Sequence, residues 1–481
     1  MVIVGGGLAG IAAALRLADC GRAVTLLEGR PRLGGAAFSF RRGELNVDNG
    51  QHLVLRCCDH YQALLGRIGV ADQITMQDRL SIPVLRADGR SSRIARTPGL
   101  PVPLHLAPAL ARYRMLSLAD RLRATRGVWA LRRLDPDDPA LDRQTLEGYL
   151  REHGQSAATI AALWGLIATA TMNIDPAQAS LALATMVFRT ALFEDAGAAD
   201  IGFAALPLGE LHHGAAGRAL REAGVEVRLA TRARAVRTGA VALRDGRELV
   251  AGQVILAVPH REAFALLPEL AGTRPAAAGL GASAIVNVHV VYDRPVTDLP
   301  FAAAVDSPAQ WIFDRTQSSG LARVNPGGQY LAVTASAADA IVDTPAREVT
   351  AKFLGELARL FPTAARARVL DAFVTRERRA TFRQAAGNAM SRPPTDSGIP
   401  GVWLAGAWTA TGWPDTMESA VRSGLVAADS VLAESAGVAR QRHPAVPAAP
   451  VVPVVPVVSG RTPIFAAGVS PSAVDSGMVE P

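Results

Sequence analysis

At 481 residues, 49% of them hydrophobic, the chain exceeds one simple domain and has ample material for a large core. Its three cysteines (Cys20, Cys57, Cys58) set up no disulfide framework, no C-x-x-C or H-E-x-x-H spacing offers a metal site, and no apolar run is long enough for a membrane-spanning helix. The net charge of +7 is carried by arginine, Lys352 being the sole lysine; with 5% aromatics and no nucleic-acid motif, an anionic membrane surface is the better partner for it than nucleic acid.

The first thirty residues set the organisation. Val2-Ile3-Val4 is a short β-branched run, followed by Gly5, Gly7 and Gly10 in the spacing G-x-G-x-x-G. An Ala/Leu-rich helix follows up to Asp19 and stops at Gly21; Ala23–Leu27 is a second apolar run, ending in Glu28. Strand, glycine turn, helix, strand and acid in this order are a dinucleotide-binding pattern. Gly5 allows the tight turn, Gly7 the approach of a pyrophosphate and Gly10 the close packing of helix on strand. The phosphates would meet the unpaired N–H groups of Leu8, Ala9 and Gly10 at the helix N-terminus. Glu28 would accept hydrogen bonds from ribose hydroxyls, at close to the roughly 20-residue spacing expected. Because this unit begins at residue 1, no signal peptide is expected, and a cytoplasmic location fits the low cysteine use.

The run continues as Glu28-Gly29-Arg30-Pro31-Arg32-Leu33-Gly34-Gly35. Gly34 and Gly35 let the chain cross a diphosphate, with Arg30 and Arg32 supplying positive charge. This E-x-R-x-R-x-G-G segment resembles the FAD-binding signature of the flavin amine oxidase and carotenoid desaturase superfamily. The resemblance implies FAD as cofactor and Gly29, Arg30 and position 36 as further contacts; where many members carry Arg after the glycine pair, this chain has Ala36. The next signal, Asp48-Asn49-Gly50-Gln51-His52-Leu53, is a turn between extended runs. It resembles the hydroxysqualene dehydroxylase group within that superfamily, where the loop lies against the flavin, so Gly50, Gln51 and His52 are expected near the cofactor. His52 reads equally as a hydrogen-bonded core histidine, and Cys57 and Cys58 as small core residues.

From Arg79 onward, Leu80–Ile94 reads as short strands, and Leu100–Leu110 is apolar and Pro-rich. Ser117 caps a helix running to Arg133, with Leu118, Leu122 and Trp129 on one face. Between Arg112 and Arg133 stand seven arginines and one acid, Asp120. Such a helix is either a solvated surface or an interfacial membrane anchor. Helices are expected at Leu146–Gly154, Ala157–Thr171 and Leu181–Phe193, as core and as the wall of a long apolar pocket. Adjacent His212 and His213 lack the spacing of a metal-binding helix pair. Val225–Val236 reads as two strands, and the resemblance places the Ala233 backbone at the adenine and the Gln253–Pro259 strand near the isoalloxazine. Ala284–Pro295, Trp311–Phe313, Tyr330–Ala335 and Val369–Thr375 read as an antiparallel sheet, with an amphipathic helix over Arg347–Phe361 that carries Lys352.

The closing signal is Gly401–Gly424, GVWLAGAWTATGWPDTMESAVRSG. Val402–Leu404 is a strand, Gly406 permits close approach, and a helix starts near Met417 with its N-terminus available to the cofactor. The T-G-W-P-x-T-M-E-S-A-V-R-S-G run resembles the same dehydroxylase group. By that resemblance Gly406, Ala407, Thr416, Met417 and Ala420 are cofactor contacts, although the superfamily usually has an acid at position 407. Trp408 and Trp413 read either as a flavin-facing wall or as packing. Beyond His443 the chain is Pro-, Val- and Ser-rich and is expected to be disordered.

The expected architecture is α/β: a Rossmann-like FAD-binding domain, discontinuous in sequence (1–78, 200–275, 384–436), an α+β substrate domain (helical part 79–199, sheet part 276–383) and a disordered tail (437–481). The resemblance implies reductive removal of the allylic hydroxyl of hydroxysqualene to give squalene, an apolar C30 isoprenoid substrate, squalene-synthase-like upstream partners and a peripheral membrane position. A carotenoid-type desaturase shares these features. An amine oxidase would share the FAD ends, but many keep a lysine near the flavin. A prenyl-lipid binding protein of related fold would not need the Gly34-Gly35 pair. No catalytic residue is identified; Asp415, Glu418 and His52 are candidate proton donors by location.

Overall fold

The computed structural model describes residues 1–435, so the tail expected at 437–481 lies outside the described residues. Its first layer is a five-stranded parallel sheet whose strands come from distant parts of the chain. Their spatial order is Glu226–Arg228, Thr25–Leu27, Val2–Val4, Val254–Leu256, Val402–Leu404. The three central strands are almost wholly buried, as continuous Val/Ile/Leu runs in a parallel sheet require. The helix Leu8–Asp19 follows the first strand, beginning three residues ahead of the apolar run at Ile11. The closing helix Met417–Ser435 lies on it so tightly that a Cβ on Gly424 would come 2.1 Å from the Ala9 carbonyl oxygen.

The second layer is a seven-stranded sheet, ordered Val369–Thr381, Ser283–Tyr292, Gln329–Ala335, Trp311–Asp314, Phe301–Val305, Ser81–Arg86, Ser91–Ala95. All its pairings are antiparallel except that of Phe301–Val305 with Ser81–Arg86. The strand Ser283–Tyr292 shows how a period of two divides labour. Ala284, Val286, Val288, Val290 and Tyr292 share one apolar cluster with Val349, Phe353, Leu357 and Leu360 of the helix Ala346–Leu360. The alternate residues Asn287 and His289 carry hydrogen bonds on the other side, Asn287 to the carbonyl of Asn49 and His289 to Tyr330 and Thr375. Lys352 is exposed on that helix.

A helical layer covers the third side. Its helices start at Ser117, Thr145, Ser156 and Ser180, each of whose side chains accepts an N–H three residues on. The segments expected at Ala157–Thr171 and Leu181–Phe193 are helical, each containing a π-turn, at Ile160–Trp164 and Arg189–Phe193. In this apolar core Trp164 meets Phe188 edge to face and Phe188 stacks on Phe193. No helix among the described residues is long and apolar enough to cross a membrane.

Candidate functional site

The site is built where the first strand–turn–helix meets three later returns of the chain. At Gly10 a Cβ would fall 1.9 Å from the Gly5 carbonyl oxygen, so the helix can approach the strand end only as glycine. Gly7 is the N-cap and no side chain caps the helix, which leaves the N–H groups of the first turn, Leu8, Ala9 and Gly10, without a capping side chain and suited to an anion. Glu28 stands at the end of the second strand. Its two carboxylate oxygens accept the N–H groups of Gly6 and Arg30, each at 2.8 Å. The segment before Ala233 lies along this edge: Ala230 donates to the Arg30 carbonyl and Thr231 to the Glu28 carbonyl. Arg232 reaches over Gly29, and Ala233 is buried in a strand paired with Leu243.

The glycine pair folds back on this turn. Gly34 donates to the Gly6 carbonyl at 2.9 Å, and a Cβ on Gly35 would meet Gly7 Cα at 2.9 Å. Arg30 and Arg32 both donate to the Gly35 carbonyl, at 3.3 and 3.1 Å. They therefore brace the crossover as well as placing charge beside it. Burial lowers the Arg32 guanidinium to about 10, and the group lies 3.5 Å from the Phe38 ring centroid. Beneath the pair, His212 donates from Nδ1 to the Ala37 carbonyl at 2.9 Å and accepts the Tyr61 hydroxyl at Nε2, 2.7 Å. Burial lowers its pKa to about 4, so it is a neutral prop rather than a ligand or acid.

Asn49 ties the turn at residues 48–52 to both neighbours. Its Nδ2 donates to the Ala36 carbonyl and to Glu377, both at 2.9 Å, while its own carbonyl accepts Asn287 and Thr375. Gly50, Gln51 and His52 are thereby held between the glycine pair and the second sheet. Gln51 Nε2 is buried without a hydrogen-bond partner. His52 Nδ1 lies 3.0 Å from the Gly50 carbonyl and must carry the hydrogen, since a carbonyl only accepts. Burial holds the imidazole below its ordinary pKa, which leaves Nε2 a bare acceptor and makes His52 a poor proton donor.

The closing segment completes the wall. Gly406 donates to Ser423 Oγ, and Ala407 offers its carbonyl to Arg392 and Ser419. Thr416 caps the closing helix by accepting the Ser419 N–H, and Met417 and Ala420 of its first turn pack against the cluster that contains Leu8 and Ala9. Trp408 is buried and donates to the Val258 carbonyl, and Trp413 stacks under Arg422.

The structure separates the other two candidate proton donors. Glu418 is consumed structurally: its buried carboxylate accepts the N–H groups of His60 and Tyr61 and pairs with Arg422 at 2.6 Å. Burial works to raise its pKa, but the hydrogen bond donated by the His60 imidazole Nδ1 at 3.1 Å and the Arg422 charge outweigh it and the net shift is downward. Asp415 differs. One oxygen accepts the Phe382 N–H at 2.7 Å, and burial raises its pKa to about 6 against that bond and the charge of Arg392. It is the one of the three able to hold a proton near neutrality.

Several residues that matter here are not singled out by the primary pattern. Asn49 reads there only as part of a turn, Glu377 is a single acid in the cationic run Arg376–Arg379, and Arg392 stands outside any motif. Arg392 fastens the closing loop by donating to the carbonyls of Trp413 and Ala407 and to Thr411, with Nε left unpartnered.

The donor set suits a flavin dinucleotide: an uncapped helix N-terminus for phosphate, a carboxylate for ribose, a glycine cradle that a Cβ would fill, and the orphaned Gln51 amide. The family model for flavin containing amine oxidoreductases matches residues 8–432. The chain belongs to that family. As a flavin-containing amine oxidoreductase family member it is an FAD-dependent oxidoreductase. It is 29% identical to a hydroxysqualene dehydroxylase of Rhodopseudomonas palustris over 90% of this chain and 98% of that protein. It is 28% identical to the hydroxysqualene dehydroxylase of Sinorhizobium fredii, with the same two coverages. A 15-cis-phytoene desaturase of Solanum lycopersicum is 24% identical over 90% of this chain and 77% of that protein. Among solved structures, a putative protoporphyrinogen oxidase from Exiguobacterium superposes with a TM-score of 0.65 at 19% identity, over 90% of this chain and 98% of that one; this likeness is one of fold.

Proposed function

We propose that the chain removes the allylic hydroxyl of hydroxysqualene reductively, giving squalene and water. The observation that carries this reading is the end-to-end match to hydroxysqualene dehydroxylases, 98% of their length, joined to the D-N-G-Q-H-L and T-G-W-P-D-T-M-E motifs at residues 48–53 and 411–418. The C–O bond breaks, the oxygen leaves as water after gaining a proton, and the allylic carbon gains a hydride equivalent. When bound and reduced, FAD supplies that hydride equivalent. The chain's own part is to hold an almost wholly apolar substrate in a dry pocket and to deliver one proton. Asp415 suits the second task. Lys352, the sole lysine, is exposed on the helix Ala346–Leu360, which speaks against an amine oxidase that keeps a lysine at the flavin.

The test is anaerobic incubation of the reduced holoenzyme with hydroxysqualene, followed by product analysis. Squalene is expected, with no conversion by oxidised enzyme. Longer conjugated products formed by oxidised enzyme from a polyene would instead establish a desaturase.

A further inference from the structure

We propose that the helix Leu118–Arg132, with the apolar turn that leads into it, is a bilayer-docking surface that seats an anionic phospholipid headgroup between Arg126 and Arg133. The inner face of the helix is fixed. Asp120, Ala124, Gly127 and Leu131 are buried, and a Cβ on Gly127 would come 2.8 Å from the Trp164 ring. The outer face is apolar and bare. Leu118 is 73% exposed, Leu122 71% and Trp129 48%, and at 100° per residue the three project within about 40° of one another. Leu100 and Leu104 are exposed on the preceding segment. That segment leads through the helix Ala107–Ala111 to the start of Leu118–Arg132, where Arg121 donates to the carbonyls of Ala111 and Leu116. Five of the eleven exposed large apolar side chains among the described residues thus fall within residues 100–129, a concentration that marks an interaction surface rather than scattered exposure.

Charge identifies the occupant. Arg112, Arg114, Arg126, Arg132 and Arg133 are exposed in this region, and none has an acid within ion-pair distance among the described residues. Arg123, by contrast, is held by Asp120. Arg126 and Arg133 stand together along one side of the apolar stripe and border a shallow cavity of about 340 Å³, shared with Trp129, Tyr149 and His153. The Tyr149 and His153 rings lie 4.1 Å apart at its edge. Two unpaired guanidiniums are suited to the oxygens of a phosphate, and a half-exposed tryptophan belongs at the level between headgroup and acyl chain. An apolar stripe bordered by cations is the profile of a helix lying in an anionic interface. A second copy of this chain would set these arginines against each other. This docking does not depend on the reaction proposed above.

The test is flotation of the full FAD-loaded chain with vesicles of phosphatidylcholine alone and of phosphatidylcholine mixed with phosphatidylglycerol. Binding is expected to the anionic vesicles only, weakening as salt is raised. R126E/R133E is expected to reduce the bound fraction by about tenfold or more, and L118S/L122S to reduce it as well, both with unchanged flavin content and circular dichroism. The control R218E/R221E removes the same charge elsewhere and is expected to bind normally. Normal binding by R126E/R133E, or equal loss in the control, overturns the proposal. Two further results would do so: inorganic phosphate displacing the protein from vesicles at constant ionic strength, where an equal charge of chloride does not, which assigns the cavity to a free anion, or self-association that R126E/R133E abolishes while vesicle binding persists.

Discussion

Gly7 and Gly35 meet backbone to backbone: a Cβ on Gly35 would lie 2.9 Å from Gly7 Cα, and Gly35 sits at φ +59°. This contact closes the cradle over the dinucleotide turn. Gly35→Val would suffer twice, from the close approach and from a β-branched residue in the left-handed region, where the latter alone costs about 1–2 kcal/mol. The variant is expected to purify folded but colourless. A yellow protein with normal flavin content would remove the cradle from the cofactor site.

Glu28 has two tasks, since it already accepts the Gly6 and Arg30 N–H groups. Glu28→Arg deletes both acceptors and places a cation at the ribose position. A loss of about 2 kcal/mol or more in FAD binding is expected, on the usual scale for hydrogen bonds to a charged group. Glu28→Gln keeps one acceptor oxygen and is expected to retain FAD more weakly than the wild type. The check is flavin retained through dialysis, and full retention by Glu28→Arg refutes the ribose assignment.

FAD is expected to be held without a covalent bond. Cys20, Cys57 and Cys58 all lie in the first 58 residues, and the closing segment 401–424 has no cysteine. Acid precipitation should release the flavin into the supernatant; flavin that stays in the pellet contradicts this.

Glu418 makes a stability prediction with a definite pH dependence. Its buried carboxylate satisfies two N–H groups at the start of the helix Asp59–Arg67 and an arginine. Glu418→Ala strands these donors and is expected to cost about 3 kcal/mol. Because the folded pKa is lowered, the contribution is present above the unfolded carboxylate pKa of about 4.3 and is lost as pH falls through the folded value. The wild type should therefore lose stability on acidification more steeply than Glu418→Ala in chemical denaturation. Parallel pH profiles would show that the carboxylate has no such role.

The parts of the fold visible in the sequence are those whose cause is local. The strand Val2–Val4, the glycine turn, the acid at Glu28 and the cap at Ser117 each follow from residues within one turn or one β-α step. The site's framework is not local. Asn49 and Glu377 are far apart in sequence and bonded at 2.9 Å, and no periodicity predicts which turn residue reaches which strand. Glu418 and Asp415, three residues apart, are equal candidates by position; only the arrival of His60, Tyr61 and Arg422 at one and of Phe382 at the other separates them. The alternation in Ser283–Tyr292 suggests a half-buried strand, whereas the helix Ala346–Leu360 and the turn at Asn49 bury both faces. The stripe Leu118–Leu122–Trp129 is evident from helical spacing, but not that it would face outward.

The last prediction concerns the proton. Asp415 is enclosed between the closing segment and Phe382, its pKa raised to about 6 by burial. A donor must be protonated, so the fraction competent to protonate a leaving hydroxyl is full well below pH 6 and declines as pH rises through it. The reduced enzyme's turnover of hydroxysqualene should follow that curve, with a single descending limb near pH 6. Asp415→Asn preserves the size of the side chain and an oxygen able to accept the Phe382 N–H, so the fold and the flavin content should be intact. It cannot supply a proton, and general acid catalysis typically contributes about 10²–10⁴-fold. A fall of that size in kcat with little change in KM, and loss of the descending limb, is expected. If Asp415→Asn keeps both the rate and the limb, the proton comes from another group and Asp415 serves only to hold Phe382 against the closing loop.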